Sequence, residues 1–297
     1  MNQSVNLNKQ YWDDAYDNSK SIGGSEDFIE QCTELAEQFR DRTRTEERFL
    51  PDISYGNGER QCFDLFLPES KTDSLGLVMF IHGGYWHRLG REFFSHMAKG
   101  STARGWTVAI PSYDLCPNVG IDEIARQMAS ALTSAVEQTG SGNKPIRLIG
   151  HSAGGHLVTR LVSKHYSASD SDGDHDSKRR LLDDRLIRNI QKIVSVSGLH
   201  DLRPLLNTTM NDTLALTEIT ASCESPALLA PVGHMPITCW VGAEELPELK
   251  RQTSLLANIW RGFGIPIDAI AEPNKNHFNV IEGLCDPSSP IVAKLLS

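Results

Sequence analysis

Short runs of apolar residues, each bounded by Gly, Pro or Asn, recur from residue 60 onward and predict buried β-strands. The predicted strands cover residues 62–67, 77–81, 107–110, 146–149, 193–197, 237–241 and 267–270. Helical patterns lie between most of them, at about residues 91–104, 121–138, 153–165 and 248–262. Because strands that alternate with helices form βαβ crossovers, this pattern predicts an α/β fold with a mainly parallel central sheet and helices on both faces.

Residues 1–50 show a different pattern, which is polar and helical with scattered aromatic positions. Ser25 and the acidic residues after it resemble a helix start. No shift in composition divides the chain, so we expect residues 1–50 to pack as a helical extension on a single domain formed by residues 51–297. Residues 201–232 hold three prolines between two predicted strands and form a candidate cap over the site.

Composition excludes several classes of protein. The net charge of -9 argues against a nucleic-acid partner, because such proteins show a basic face to phosphates. No apolar run approaches the ~20 residues that span a bilayer, and residues 1–9 lack the apolar core of a signal peptide. We therefore expect a cytoplasmic protein without a membrane partner.

Neither the cysteines nor the acidic run predicts a metal site. The six cysteines are scattered without a Cys-x-x-Cys pair, which indicates reduced thiols rather than a zinc site or a disulfide framework. The acidic run at residues 170–176 invites comparison with a calcium loop. It has His175 and Leu181 where such a loop needs Gly and Glu, so we expect a solvated loop.

The most informative stretch is Gly-His-Ser-Ala-Gly at residues 150–154, where a predicted strand passes into a predicted helix. A serine at such a junction fits a nucleophile elbow, in which a strained turn lifts the hydroxyl above the edge of the sheet. Glycines suit both ends of this motif because the turn brings backbone close to backbone. The same five residues also occur in Gly-rich loops without catalytic function, so support for a nucleophile must come from partners of Ser152 elsewhere in the chain.

A His-Gly-Gly-Tyr-Trp sequence at residues 82–86 follows the predicted strand 77–81. It matches the oxyanion loop found in hydrolases that have such an elbow. Glycine N–H groups can turn toward a substrate oxygen along a path that a Cβ would obstruct. We therefore predict the N–H groups of Gly83 and Gly84 as donors, completed by the N–H of Ala153.

His277 follows the last predicted strand and is the only histidine beyond position 234. Imidazole suits a general base because its ordinary pKa lies near neutrality. His151 and His156 flank the elbow too closely to reach Ser152 comfortably, and we expect His82 to hold the oxyanion loop. His277 is therefore the predicted base.

The residue that orients His277 should be a carboxylate that precedes it in the chain. Glu245, in the segment after the strand that ends at residue 241, is the first choice. Glu244 and Glu248 lie in the same segment, and Asp201 follows the preceding strand. Each of these carboxylates is also typical of a helix start, so all four stay open at this point.

These sequences resemble the kynurenine formamidases, or arylformamidases, of the α/β-hydrolase fold. The resemblance covers about residues 60–285 and is carried by His-Gly-Gly-Tyr-Trp (82–86), Gly-His-Ser-Ala-Gly-Gly-His (150–156), Ser-Gly-Leu-His-Asp-Leu (197–202), Glu-Leu-Pro-Glu (245–248) and His-Phe (277–278). It implies that N-formyl-L-kynurenine is hydrolysed through an acyl-enzyme to kynurenine and formate in tryptophan degradation, without a cofactor or metal. In that family the acid before residue-Pro-Glu is often Asp, whereas this chain has Glu245.

Other functions fit parts of the sequence. The elbow alone also suits a general carboxylesterase for short acyl esters, and a non-catalytic binding protein can keep the fold while it loses a member of the triad. We expect a small-molecule substrate, with Tyr85, Trp86 and the 201–232 segment as candidates to face an aromatic leaving amine. The sequence is also compatible with a homodimer.

Overall fold

The structure, a computed structural model, describes residues 8–21, 25–70, 73–164 and 180–297. The acidic run 170–176 lies outside these residues. The strands are β1 (Phe49–Ser54), β2 (Cys62–Phe66), β3 (Leu77–Ile81), β4 (Thr107–Pro111), β5 (Ile146–His151), β6 (Ser163–Lys164), β7 (Ile190–Val196), β8 (Ala230–Pro231), β9 (Ile237–Gly242) and β10 (Ile267–Glu272).

Helices lie before, between and after these strands. The α-helices are α1 (Lys9–Tyr16), α2 (Asn18–Ser21), α3 (Ser25–Thr45), α4 (Lys99–Ala103), α5 (Ile121–Gln138), α6 (Ala153–Leu161), α7 (Asp184–Asn189), α8 (Asn211–Leu214), α9 (Glu218–Cys223), α10 (Pro247–Arg261) and α11 (Pro290–Leu296). Short 3₁₀ helices cover Arg91–Phe93, Ser95–Ala98, Arg203–Asn207, Pro226–Leu228 and Asn279–Cys285. None of these helices has both the length and the apolar character needed to cross a bilayer, within the residues described.

Within the described residues, eight strands form one sheet in the order β1-β2-β4-β3-β5-β7-β9-β10. The pairs β1–β2 and β2–β4 are antiparallel, and all other neighbours are parallel. The prediction of an α/β fold with a mainly parallel sheet is therefore confirmed.

The sheet is covered on both faces, which explains why its strands read as continuous apolar runs. Every residue of β3, β4 and β5 is buried. On one face α5 contributes fully buried Met128 and Leu132, four positions apart and therefore on one side of the helix. On the other face Phe39 of α3 and Leu295 of α11 join a second apolar cluster.

Strand β1 was not predicted, since residues 1–50 read as helical and the first predicted strand begins at residue 62. It contains Pro51, and its register with β2 shifts between Leu50 and Ile53. A strand at the edge of a sheet tolerates proline, because the missing N–H would have faced solvent. The apolar alternation of a half-buried strand is interrupted here, which hides β1 from pattern analysis.

The predicted helix ranges agree with the structure to different degrees. Helices α5 and α10 match the predicted ranges 121–138 and 248–262 closely. The range 91–104 instead contains two 3₁₀ turns and the short α4. The range 153–165 was too long, because α6 ends at Leu161 and the chain then pairs as β6 with β8.

The parallel strands β3, β5, β7, β9 and β10 are neighbours in the sheet. Their carboxyl ends therefore meet at one edge, which is where ligands bind in open α/β sheets. The loops that leave these ends carry the residues of the predicted site.

Candidate active site

Ser152 lies between the end of β5 and the start of α6 and is held in a strained backbone conformation. Its φ of 56° and ψ of -116° are outside the regions that a non-glycine residue usually occupies. Such a conformation costs on the order of 1–3 kcal/mol and persists only where the surroundings fix it. Ser152 is therefore placed on the sharp strand-to-helix turn that the sequence predicts.

Close packing of backbone against backbone holds this turn. A Cβ added to Gly154 would lie 1.9 Å from the carbonyl oxygen of Ile81 at the end of β3. A Cβ added to Gly150 would lie 2.1 Å from the carbonyl oxygen of Gly154. The two glycines thus allow α6 to begin directly against β3, which brings Ser152 beside the loop that follows β3.

His277 and Glu245 lie together at the same edge of the sheet. Nδ1 of His277 is 2.8 Å from Oε2 of Glu245, and both residues are buried. His277 also lines the same cavity as Ser152. The longer side chain of glutamate, compared with the aspartate often found in the resembled family, therefore reaches the imidazole.

Glu245 accepts two further hydrogen bonds, both at Oε1. The hydroxyl of Ser197 donates to it over 2.5 Å and the N–H of Gly242 over 2.8 Å. Burial alone would raise the pKa of the Glu245 carboxyl, but His277 and these donors outweigh burial and lower the pKa below its ordinary value. Because an ionised carboxylate only accepts, Nδ1 of His277 carries the proton and Nε2 is left to act as a base.

Ser197 is a residue that the sequence analysis did not single out as part of the site. It follows β7 and has a φ of 53°, another strained position at this edge of the sheet. It lay inside the Ser-Gly-Leu-His-Asp-Leu stretch that carried the resemblance, and its place at the carboxyl end of the predicted strand 193–197 was the available signal.

The other candidate acids have different partners. Glu248 accepts from the hydroxyl of Tyr16 and forms an ion pair with Arg251. Asp201 forms an ion pair with Arg203. Glu244 is exposed. Among the four candidates, only Glu245 contacts the imidazole of His277 in the described part of the chain.

The histidines around the elbow have fixed positions. Nε2 of His151 lies 2.8 Å from the carbonyl oxygen of His277, so it ties the elbow to the loop that carries the predicted base. Nδ1 of His82 lies 2.7 Å from the carbonyl oxygen of Gly83. Burial lowers the pKa of both His82 and His151 to about 3, so both rings are neutral at physiological pH. They organise backbone, in line with the structural role expected for His82.

The loop after β3 lies directly against the elbow. A Cβ on Gly83 would approach Cβ of Ser152 to 3.0 Å, and Gly84 has a φ of 112° that disfavours any other residue. Within the described residues, the N–H groups of Gly83, Gly84 and Ala153 donate to no protein acceptor. These three N–H groups are thus available to a substrate oxygen near Ser152.

Tyr85 and Trp86 have separate positions although they are adjacent in sequence. Tyr85 lines the cavity, and its hydroxyl donates to the carbonyl oxygen of Tyr16 over 2.7 Å. Trp86 is fully buried and meets His156 edge to face, with ring centroids 5.1 Å apart. The expectation that Trp86 faces the substrate is therefore corrected, because its indole packs in the core instead of against the cavity.

The cavity at Ser152 has a volume of about 450 Å³ and a partly aromatic wall. Phe28 and Phe278 contact each other there, with ring centroids 5.1 Å apart. Phe94 lines the cavity as well. This wall is suited to a flat aromatic group beside the predicted nucleophile.

Part of the cavity wall comes from the N-terminal segment, which the sequence analysis described only as a helical extension packed on the domain. Asn18, Ser19, Phe28 and Ile29 all line it. The predicted cap 201–232 supplies none of the described residues that line this cavity, although three of its residues line a neighbouring one. The N-terminal segment therefore occupies the place that sequence analysis gave to the cap.

Comparisons with known proteins show which families and structures this chain is similar to. The family model BD-FAE matches residues 63–229. Kynurenine formamidase of Salmo salar is 28% identical over 92% of this chain and 89% of its own length. That of Danio rerio is 27% identical over the same shares. A structure from Silicibacter sp. TM1040 named "putative thioesterase" is 38% identical, covers 96% of this chain and 98% of its own, and has a TM-score of 0.85.

Proposed function

The chain belongs to the BD-FAE family and has the α/β-hydrolase fold, and on this premise we propose that it hydrolyses aryl formamides, with N-formyl-L-kynurenine as its substrate. The products are kynurenine and formate, so the reaction belongs to tryptophan degradation. The chain is an enzyme of the serine hydrolase type. Its match to the formamidases extends over nine-tenths of both chains, which supports the specific substrate.

In the first half of the reaction, Oγ of Ser152 attacks the formyl carbon of the substrate. Nε2 of His277 takes the serine proton, and Glu245 stabilises the resulting imidazolium through Nδ1–H. The N–H groups of Gly83, Gly84 and Ala153 hold the carbonyl oxygen as it becomes negative. The C–N bond then breaks, and the aromatic amine leaves with the proton from His277.

In the second half, water attacks the formyl ester on Ser152. His277 accepts a proton from this water and returns it to Oγ of Ser152, which releases formate. The net reaction consumes one water and needs no electron transfer. The residues of the chain therefore supply each proton transfer that the reaction requires.

A single observation carries the choice of an aryl formamide. The cavity that contains Ser152 leaves little room at Gly83, where an added Cβ would lie 3.0 Å from Cβ of the serine, and its wall is aromatic at Phe28 and Phe278. Formyl is the smallest acyl group and suits the crowded position beside Gly83. An aromatic amine suits the wall formed by Phe28 and Phe278.

The direct test uses purified protein and N-formyl-L-kynurenine, with product followed by the absorbance of the free aromatic amine. We expect hydrolysis by the wild-type chain and loss of that activity in Ser152→Ala. If the wild-type protein cleaves p-nitrophenyl acetate but leaves N-formyl-L-kynurenine intact, the proposed substrate is wrong and the hydrolase assignment stands.

A second candidate is hydrolysis of short esters or thioesters. The observation that favours it is the thioesterase name of the 38% identical structure. The two functions separate on a panel of aryl formamides, p-nitrophenyl acetate and an acyl thioester compared by kcat/KM. A preference for the thioester over N-formyl-L-kynurenine would select the second candidate.

A further inference from the structure

Arg88 is an exposed cation at the cavity, and nothing in the reaction above uses it. It lies in the turn that follows the oxyanion loop and lines the same cavity as Ser152. Within the part of the chain that the structure describes, its guanidinium has no hydrogen-bond or ion-pair partner. An arginine without a partner at the wall of a substrate cavity is available to bind an anion.

The turn that carries Arg88 is held firmly by its backbone. The N–H of Arg88 donates to the carbonyl oxygen of Gly84 over 3.1 Å. The next residue, Leu89, has a φ of 67°, and its carbonyl oxygen accepts from the guanidinium of Arg60 over 2.6 Å. A Cβ on Gly84 would approach Cγ of Arg88 to 3.3 Å, so this side chain leaves the turn right beside a predicted oxyanion donor.

The charges of the residues that line the cavity favour an anion at Arg88. The chain carries a net charge of -9, yet no Asp or Glu is among the described residues that line this cavity. Apart from two histidines, Arg88 is the only basic side chain among the described residues that line the cavity. An anionic group on the substrate therefore meets attraction here, without a competing carboxylate among the described lining residues.

A neighbouring cavity of about 440 Å³ helps to locate the position where an anionic group of the substrate binds. Asn18, Ser19, Tyr85 and Arg88 line both cavities, so Arg88 lies where the two meet. Asp13 and Asp17 also line the neighbouring cavity, and their negative charges disfavour an anion there. The favourable place for a negative group is thus the junction at Arg88.

We propose that Arg88 binds the carboxylate at the amino-acid end of the substrate and makes the enzyme selective for aryl formamides that carry one. This inference rests on the proposed function, because it takes the formamide carbon to lie at Ser152 and the aromatic ring along Phe28 and Phe278. The flexible side chain of the substrate then extends from the ring to the junction of the two cavities. Arginine suits this role because its planar fork matches the two oxygens of a carboxylate.

Three substrates that share one reactive group test the proposal. N-formyl-L-kynurenine carries both carboxylate and ammonium, 4-(2-formamidophenyl)-4-oxobutanoate carries only the carboxylate, and 2-formamidoacetophenone carries neither. We expect Arg88→Gln to lower kcat/KM about tenfold for the first two through a higher KM, as for loss of one charge-assisted hydrogen bond. Activity on 2-formamidoacetophenone should stay within about twofold, because the neutral compound has no group for Arg88 to bind.

Two further variants sharpen the result. Arg88→Lys keeps the charge, so its KM for the two substrates that carry a carboxylate should lie between the wild-type value and the higher value of Arg88→Gln. Arg188→Gln, an exposed arginine on α7 at the amino-terminal end of β7, is the matched control and should leave all three substrates unchanged.

Each result decides the question. Equal losses on all three substrates in Arg88→Gln, or no loss on any, overturn the role of Arg88 while the formamidase function stands. A loss on N-formyl-L-kynurenine alone assigns the effect to the ammonium and also overturns it. If the wild-type protein cleaves none of the formamides but cleaves p-nitrophenyl acetate, the proposed function fails and the inference fails with it.

Discussion

Glu245→Gln tests the hydrogen bond between the carboxylate of Glu245 and Nδ1 of His277, because it replaces a single oxygen atom by an NH₂ group. Gly242 N–H and the hydroxyl of Ser197 both point at Oε1, and a backbone N–H can only donate. The amide oxygen of glutamine must therefore take the place of Oε1. This leaves the NH₂ group at the place of Oε2, 2.8 Å from Nδ1 of His277.

The consequence for catalysis is large although the change in volume is negligible. An NH₂ group donates to Nδ1, so the imidazole has to carry its proton on Nε2 and can no longer accept the proton of Ser152. In a serine protease the corresponding change from acid to amide lowers kcat on the order of 10⁴-fold through the same wrong tautomer. We expect a loss of that size, about 5.5 kcal/mol of transition-state stabilisation.

The assay compares kcat for N-formyl-L-kynurenine with the rate at which a fluorophosphonate labels Ser152. Both should fall in Glu245→Gln, because each depends on removal of the serine proton. Glu244→Gln is the matched control, since this neighbouring carboxylate is exposed, and it should behave as wild type. If Glu245→Gln keeps more than about a tenth of the wild-type kcat, the tautomer argument is wrong, since that argument requires a loss on the order of 10⁴-fold.

Three further changes test other parts of the structure. Gly83→Ala places a Cβ 3.0 Å from Cβ of Ser152, which should displace the oxyanion loop and lower kcat about 10²-fold with little change in the melting temperature. The unfolding free energy of the wild-type chain should fall with decreasing pH, and His200→Gln should make this slope smaller by on the order of 1.4 kcal/mol per pH unit between about pH 6 and 4, measured by urea unfolding. Tyr16→Phe removes a buried hydroxyl that donates to Glu248 over 2.7 Å and should lower the free energy of unfolding by about 1.5–3 kcal/mol.

The sign of the His200 effect follows from its burial, which lowers its pKa in the folded chain to about 3. An unfolded histidine has a pKa of about 6.5, so below that pH the unfolded chain binds a proton that the folded chain does not. The folded state is therefore destabilised as the pH falls from about 6.5 toward 3. Replacing His200 removes this contribution.

Matched controls exist for the other two changes. Gly262 has a φ of -62°, so Gly262→Ala should keep full activity. Tyr11 is 39% exposed, so Tyr11→Phe should leave the unfolding free energy within a few tenths of a kcal/mol. Full kcat in Gly83→Ala would contradict the assignment of the loop, and unchanged stability in Tyr16→Phe would show that the buried hydrogen bond contributes little.

Local sequence was sufficient for the parts of the site that local geometry determines. Ser152 and the glycines beside it lie within a few residues, and a strand-to-helix turn needs that pattern whatever surrounds it. The position of His277 followed from chain order, as did the short list of acids. Choosing Glu245 among four carboxylates required the sheet, because Ser197 and Gly242 lie at the ends of two different strands and meet only after folding.

The rest depended on contacts between distant residues, which patterning does not encode. Tyr85 and Trp86 are adjacent aromatic residues, both with positive φ, and composition does not say which one faces the cavity. The wall formed by Phe28 and Phe278 joins positions 250 residues apart. A polar helical segment with a few aromatic residues gave no indication that it would line a site.

The stretch that matches the BD-FAE family, residues 63–229, contains Ser152 but begins after the segment that supplies Asn18, Ser19 and Phe28. The reacting groups Ser152, Glu245 and His277 thus all lie outside the first fifty residues, which supply only part of the cavity wall. We expect changes within the first fifty residues to alter which compound fits the cavity while the reacting groups stay the same. Engineers who wish to change its selectivity have a place to begin that lies far, in sequence, from the chemistry.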